Sequence, residues 1–254
     1  MIEPLHLLVV YDIYRKQPAA AFARINAQIQ KSPNNSALLD QLAALQIQQN
    51  QLDQAAATAQ KAIQMNSSDP AAAMLSAEIA VRSGKTASAI GTWQSWTNAH
   101  PNDANAFALL GTLEDAAGNR QAAESNYRRA LAIQPQQPFA ANNLAYLMLE
   151  EGGDVNVALS LAQTARQAMP NSPHTADTLA WAYYYKGTYQ FARDLLEEAL
   201  RENPDNANMQ YHLGMIYAKL LDKSNAEIHL KKAIALGKGT PTASSAQSAL
   251  QALG

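Results

Sequence analysis

The sequence predicts an all-α fold, an α-α superhelix of about seven helix-turn-helix repeats followed by a C-terminal capping helix. Three observations carry this. Alanine recurs at Ala21, Ala55, Ala89, Ala123, Ala158, Ala192 and Ala226, always 34 residues apart except for one step of 35. Small residues recur twelve or thirteen places earlier, at Ala43, Ala77, Gly111, Ala145, Ala180 and Gly214, and prolines stand at Pro33, Pro101, Pro135, Pro170 and Pro204. Composition agrees, because alanine and glutamine recur throughout and β-branched runs are few, which favours helix over strand.

Taken in order, the first unit, 2–35, is degenerate and opens on LHLLVVYDIY, which is apolar almost all round. An exposed helix of that kind is unusual, so Met1 is expected to start a segment cut from a longer array, or this helix to pack against another chain. Units 36–69, 70–103 and 104–137 each offer two amphipathic helices of about a dozen residues, with small residues where the two must approach closely. Gly84 and Gly118 mark the turns between them, and a proline after the second helix stops it. Unit 138–172 takes the extra residue near Gly152 and Gly153, unit 173–206 contains LAWAYYYKG with its turn at Gly187, and unit 207–240 closes the series. The remainder, 241–254, reads as the cap, with Ala246, Leu250 and Leu253 facing inwards and Ser and Gln outwards.

The consensus W-x2-L-G-x2-Y, A-x3-F, A, P is matched by FALLGTLEDAAGNRQAAESNYRRALAIQP, through Phe107, Leu110, Gly111, Ala123, Tyr127, Ala130 and Pro135. YHLGMIYAKLLDKSNAEIHLKKAIAL matches it again through Leu213, Gly214, Tyr217, Ala226, Leu230 and Ala233. The repeat resembles that of the tetratricopeptide (TPR) family over nearly the whole chain. One unit cannot bury its apolar face alone, so stability comes from stacking on neighbours.

Several function classes drop out. A net charge of -2 with no clustered Lys and Arg argues against nucleic acid. Without cysteine there is no disulfide, thiolate metal site or cysteine nucleophile. The run from Leu5 to Val10 is too short for the ~20 residues of a membrane span, and it lacks the flanks of a signal peptide. The histidines show no HExxH spacing, and phosphate-cradling or GxSxG motifs are missing, so neither catalysis, metal nor cofactor is expected.

That leaves the aromatics. Ala176, Leu179, Ala180 and Tyr183 form an i, i+3, i+4, i+7 stripe facing the partner helix, so Tyr183 is expected in the core. His174, Asp177, Thr178, Trp181, Tyr184 and Tyr185 lie on a different face. In TPR proteins this face of the first helix lines the concave surface, where peptides or partner segments bind. By this resemblance the partner-binding residues are Asn142, Asn143, Tyr146, Asp177, Trp181, Tyr184, Tyr211 and Met215. Aromatics and Met supply area while amides supply adaptable hydrogen bonds; the competing reading is that Trp181 and Tyr184 merely pack on adjacent repeats. The earlier units carry Asp40, Gln41, Ala44, Met74, Glu78, Arg82, Asn105, Thr112 and Asp115 there, a smaller and more polar surface.

Trp93 is expected in the core. Trp96 replaces the alanine found in five other repeats, with Ala73 and Ala77 expected to make room for its ring, or else it is an exposed contact. The Lys, Asn and Arg clamp by which some family members hold acidic chaperone tails has no matching run: Asn143 fits one place, while Asp40 and Asp177 bring the wrong charge.

The expected function is therefore a non-enzymatic scaffold or adaptor for a protein or peptide partner, with self-association through the apolar first helix as a further interaction. The phrases NNLAY, DTLAWAYYYKG and YHLG resemble bacterial envelope TPR proteins, including the lipoproteins of PEP-CTERM and exosortase-linked exopolysaccharide systems. That resemblance implies a periplasmic or envelope location and a role in polysaccharide export or protein sorting, with the cytoplasm as the alternative. The competing functions are a regulatory or substrate-recruiting arm of a larger enzyme, such as a glycosyltransferase, and a groove that binds glycans.

Overall fold

The computed structural model describes residues 3–66 and 70–253, and among these it contains fifteen α-helices and no strand. They fall into two units. The first, ending at Ile133, holds α1 (Glu3–Tyr14), α2 (Pro18–Lys31), α3 (Ser36–Gln48), α4 (Leu52–Met65), α5 (Pro70–Arg82), α6 (Thr86–Ala99), α7 (Ala104–Ala116) and α8 (Arg120–Ile133). The second, from Gln134, holds α9 (Pro138–Glu150), α10 (Val155–Ala168), α11 (Pro173–Tyr185), α12 (Tyr189–Glu202), α13 (Ala207–Lys219), α14 (Lys223–Leu236) and α15 (Pro241–Ala252). Within each unit the helices of a pair pack on each other, and α5, α7, α11 and α13 each also pack on the preceding odd-numbered helix or its partner.

Local chemistry sets the helix ends. Side chains of Asn35, Asp103, Asp154, Asn206 and Asp222 accept hydrogen bonds from the first-turn N–H groups of α3, α7, α10, α13 and α14, while Pro18, Pro138, Pro173 and Pro241 pre-set the first turn of α2, α9, α11 and α15. At the other end of each first helix the chain turns through a left-handed residue in the same place: Lys16, Asn50, Gly84, Gly118, Gly152, Gly187 and Leu221 all have positive φ. Around Gly118 its N–H reaches Asp115 O at 2.9 Å and the Asn119 N–H reaches Glu114 O at 2.8 Å, the paired bonds that close a helix C-terminus. The extra residue of the fifth repeat lies just after this point, because α10 starts three residues beyond Gly152 whereas α8 starts two beyond Gly118. Leu221 has φ 63° and is 91% exposed, so it suffers the left-handed strain without burying its side chain. Leu221→Gly is expected to stabilise the chain by about 1 kcal/mol, read as a rise in the urea midpoint.

The small-residue positions are close approaches. A Cβ on Gly111 would stand 2.6 Å from the ring of Tyr127, and one on Gly214 would stand 2.7 Å from Leu230 Cγ. Gly111→Ala should therefore cost about 1–3 kcal/mol by overpacking, outweighing a helix-propensity gain of ~1 kcal/mol; a more stable variant in urea would overturn this.

The termini differ. In α15, Ala243 and Ala246 are buried, Leu250 and Leu253 pack against Leu230 and Ala233, and Ser244, Ser245, Gln247 and Ser248 face water. In α1, Val9 and Ile13 pack against Ala21, Ile25 and Leu45, and buried Asp12 accepts from Arg24 Nε at 2.6 Å. Its other side exposes Leu7, Leu8, Val10, Tyr11 and Tyr14.

The third repeat departs from the pattern. Elsewhere the large inward residue of the second helix is buried, as Ile25, Tyr127, Leu196 and Leu230 are, yet Trp93 is only partly buried. Trp93 nevertheless packs against the buried core of Ala77, Ala80, Leu109 and Leu113, the place expected of it, with part of its ring left open; Trp96 is partly buried as well. An indole is too large for a slot that Ala62, Ala130, Ala165, Ala199 and Ala233 fill elsewhere. Instead its ring stacks on His100 with centroids 4.1 Å apart, meets Trp93 edge-on, and donates through Nε1 to Asp103 Oδ2 at 3.0 Å. Ala77 is buried, and the side chain of Ala73 lies outside the described residues.

Candidate partner-binding site

The eight residues singled out by helical spacing all lie in the second unit: Asn142, Asn143 and Tyr146 on α9, Asp177, Trp181 and Tyr184 on α11, and Tyr211 and Met215 on α13. One position in three or four along each helix faces the same way, so three successive first helices build one wall. Tyr146, Tyr184, Tyr211 and Met215 are partly buried and pack against a cluster that contains Trp181, Leu149 and Ala182.

Trp181 is the centre of that wall and not its surface, being 3% exposed. Its ring is sandwiched between Tyr184, with centroids 4.5 Å apart and planes 12° apart, and His212, at 4.0 Å and 18°. Tyr185 meets its edge at 5.2 Å, and its Nε1–H donates to Glu150 Oε1 at 3.0 Å. His212, itself buried, holds Asp177 Oδ1 at 2.7 Å from Nδ1, and Tyr146 lies 6.1 Å from the imidazole. Asp177 is thus occupied within the wall. The accessible remainder consists of Tyr184, Tyr185, Tyr211, Met215, Tyr146 and the α9 amides.

Burial pushes the phenol of Tyr184 up to about 12, with Tyr189, Tyr211 and Tyr185 adding to the effect, and burial followed by the Glu150 carboxylate raises Tyr185 and Tyr211. These hydroxyls stay neutral donors at neutral pH. Beside them, Asn142 Nδ2 donates to Asn143 Oδ1 at 3.1 Å, while Asn142 Oδ1 is buried without a hydrogen-bond partner among the described residues. An orphaned acceptor of this kind is costly unless a ligand's N–H or a water meets it.

Spacing places Glu150 and His212 on the same face as the eight, but it does not show them to be supports of Trp181. They stand 31 residues before and after Trp181, on the neighbouring first helices, so a scan for partners one repeat away would have found both. Tyr183 packs against Phe191 and the cores on either side, partly buried.

The first unit presents the corresponding face differently. Asp40, Gln41 and Ala44 on α3, with Met74, Glu78 and Arg82 on α5, border a cavity of about 570 Å³. Small side chains leave unfilled here what tyrosines fill in the second unit. A larger cavity, about 640 Å³, opens between α4, α5 and α6 beside Trp93 and Trp96. Among the described residues no helix is long and apolar enough to cross a membrane, and no group of three His, Asp or Glu side chains could hold a metal ion.

Models of the tetratricopeptide repeat match residues 52–113 and 178–241. The probable biofilm formation methyltransferase WspC of Pseudomonas putida is 35% identical over 86 residues, which are 34% of this chain and 20% of that protein. A TPR repeat-containing protein of Pseudomonas aeruginosa is 26% identical over 121 residues, 48% of this chain and 20% of its own length. The chain thus spans about one fifth of the length of the curated relatives it matches. In fold it is similar to a crystal structure of a tetratricopeptide repeat protein from Parabacteroides merdae, with a TM-score of 0.54 at 20% identity over 99% of this chain and 98% of that one. The 34-residue period, the paired helices, the shared left-handed turns and these matches agree: the chain is a tetratricopeptide-repeat protein.

Proposed function

We propose that the chain is a non-enzymatic adaptor that holds a peptide or partner segment along the wall formed by α9, α11 and α13. The observation that carries this reading is the buried, unpartnered Asn142 Oδ1 on a wall whose exposed members are tyrosines and Met215. A bound segment's backbone N–H would meet the amide oxygen once the Asn142 side chain turns out of the position that buries it, and the segment's apolar side chains would lie on Tyr184, Tyr211 and Met215. Trp181 and the Asp177–His212 pair act beneath this surface as its rigid support. Self-association through the outer face of α1 belongs to the same reading.

The setting proposed is the bacterial envelope, in exopolysaccharide export or protein sorting, supported by the resemblance of NNLAY, DTLAWAYYYKG and YHLG to envelope TPR proteins. A second reading, an arm that recruits substrates to an enzyme, is favoured by the match to part of a methyltransferase.

The test is selection of displayed peptides against the chain, followed by binding to a Tyr184→Ala, Tyr211→Ala variant of unchanged helicity. Each truncation is expected to cost about 2 kcal/mol, or ~30-fold in Kd. Equal binding by both proteins would sink the peptide reading, and tyrosine perturbation by oligosaccharides in its place would assign the wall to glycans.

A further inference from the structure

The cavity of about 570 Å³ between α3 and α5 lies within the first unit, and its size is that of an ordinary ligand pocket, ~300–1,000 Å³. Ala44 stands at the repeat position of Tyr146 and Trp181, the side chains that fill this place on α9 and α11. A single methyl leaves the space open. Met74, Leu75 and Val81 of α5 give it apolar sides, and Thr112 of α7 borders it with a hydroxyl already donated to Ala108 O at 3.0 Å.

The α3 side of the cavity offers acceptors. Gln41 Oε1 is buried without a hydrogen-bond partner among the described residues, and beside it Asp40, 9% exposed, lines the same space. A buried acceptor of this kind is costly until a donor reaches it. Asp40 has the repeat position of Asp177, whose Oδ1 lies 2.7 Å from Nδ1 of His212, 35 residues further on. The residue 35 places after Asp40 is Leu75, which lines the cavity and has no N–H in its side chain. The nitrogen that the second unit supplies from its own next repeat is thus missing at this place in the first. The other charged groups of the lining, Glu78 and Arg82, hold each other at 3.1 Å, so carboxylates outnumber cations two to one. Asp40 and Gln41 also lie beyond the first turn of α3, where the positive end of the helix dipole has faded.

We propose that this cavity takes the side chain of a lysine or arginine from a partner protein segment. The aliphatic stem lies along Met74, Leu75 and Val81, and the N–H groups of the head reach Gln41 Oε1 and Asp40. An acidic side chain would meet two carboxylates, and an apolar one would leave Gln41 Oε1 unmet. The site shares with the function proposed above only the premise of a peptide partner, and it does not depend on the wall of α9, α11 and α13.

The test uses capped pentapeptides that carry lysine, arginine, norleucine or glutamate between alanines, titrated against the whole chain and followed through the methyl signal of Met74. The lysine and arginine peptides are expected to bind at least about tenfold more tightly than the norleucine peptide, which has the stem without the head. Salt should weaken the basic peptides and leave norleucine unchanged. Ala44→Tyr, which places the tyrosine of the fifth repeat at an exposed position, should abolish binding with helicity unchanged. Gln41→Leu and Asp40→Asn, which keep the volume of the cavity, should each cut the preference for the basic peptides to below about threefold. Norleucine or glutamate bound as tightly as lysine would overturn the basic anchor. Basic peptides that survive Ala44→Tyr, or that leave Met74 unmoved, would overturn the cavity as their place, and no binding by any of the four would overturn the site itself. The displayed-peptide selection with the Tyr184 and Tyr211 variant reports on the wall in every case.

Discussion

Trp181→Ala is expected to destabilise the second unit by about 3–5 kcal/mol, the range for removing a large buried aromatic side chain. The ring is 3% exposed, covered on its faces by Tyr184 and His212, and bonded through Nε1 to Glu150. Deleting it leaves a cavity between three helices and frees the buried imidazole on one side. Hydrogen exchange read separately for α9, α11 and α13 should show the loss there, because repeat stability is transmitted between nearest neighbours. Trp181→Phe keeps an aromatic ring for the sandwich but removes the bond to Glu150, and should cost less, about 1–2 kcal/mol. A loss below about 1 kcal/mol for the alanine variant would mean that the stack is not a support. The consequence for function is practical. Trp181 is the wrong residue with which to probe binding, since weakened binding in its variants would report disorder of the wall; Tyr211, tilted 6.2 Å from the indole, can be truncated from the surface, whereas Tyr184 also covers one face of the indole, so its truncation is read beside a matched unfolding measurement.

Asp177→Ala should cost about 3 kcal/mol, the scale for removing one partner from a buried hydrogen-bonded pair. His212 is 2% exposed and would be left with Nδ1 unsatisfied, as the Asp177 oxygen now lies 2.7 Å away. His212→Ala should cost at least as much, because it strands the carboxylate and uncovers one face of Trp181. Asp177→Asn, whose amide oxygen can still accept from Nδ1–H, is expected to retain most of the stability. Urea unfolding of the two alanine variants and their double should give a coupling above about 1 kcal/mol, the mark of residues sharing one network. Additive losses would show that the pair is a contact without consequence.

Much of the fold was legible in the chain itself. A period of 34 residues with small residues at fixed offsets requires paired helices in close approach, and Gly111 against Tyr127 shows the packing that the offset encodes. Glycines mark four of the seven left-handed turns and Asn50 a fifth, so only Lys16 and Leu221 were hidden. The wall's composition was legible as well, because spacing along a helix decides which residues share a face.

What the sequence by itself determined is thus the repeat, its turns, its cap and the face on which each aromatic lies. Only the tertiary structure decided which of those aromatics still meet solvent. Trp181 and Met215 occupy equivalent positions, 34 residues apart on neighbouring helices, yet one is a buried support and the other part of the surface, because His212, Tyr184 and Glu150 converge on the first. Likewise the spacing that placed Trp96 in an alanine slot could not tell whether neighbours would shrink around the ring or the helix would stand off. Face is a property of local backbone geometry, fixed within a few turns of one helix. Burial is a property of volume, settled only when side chains from residues some thirty positions apart compete for the same space.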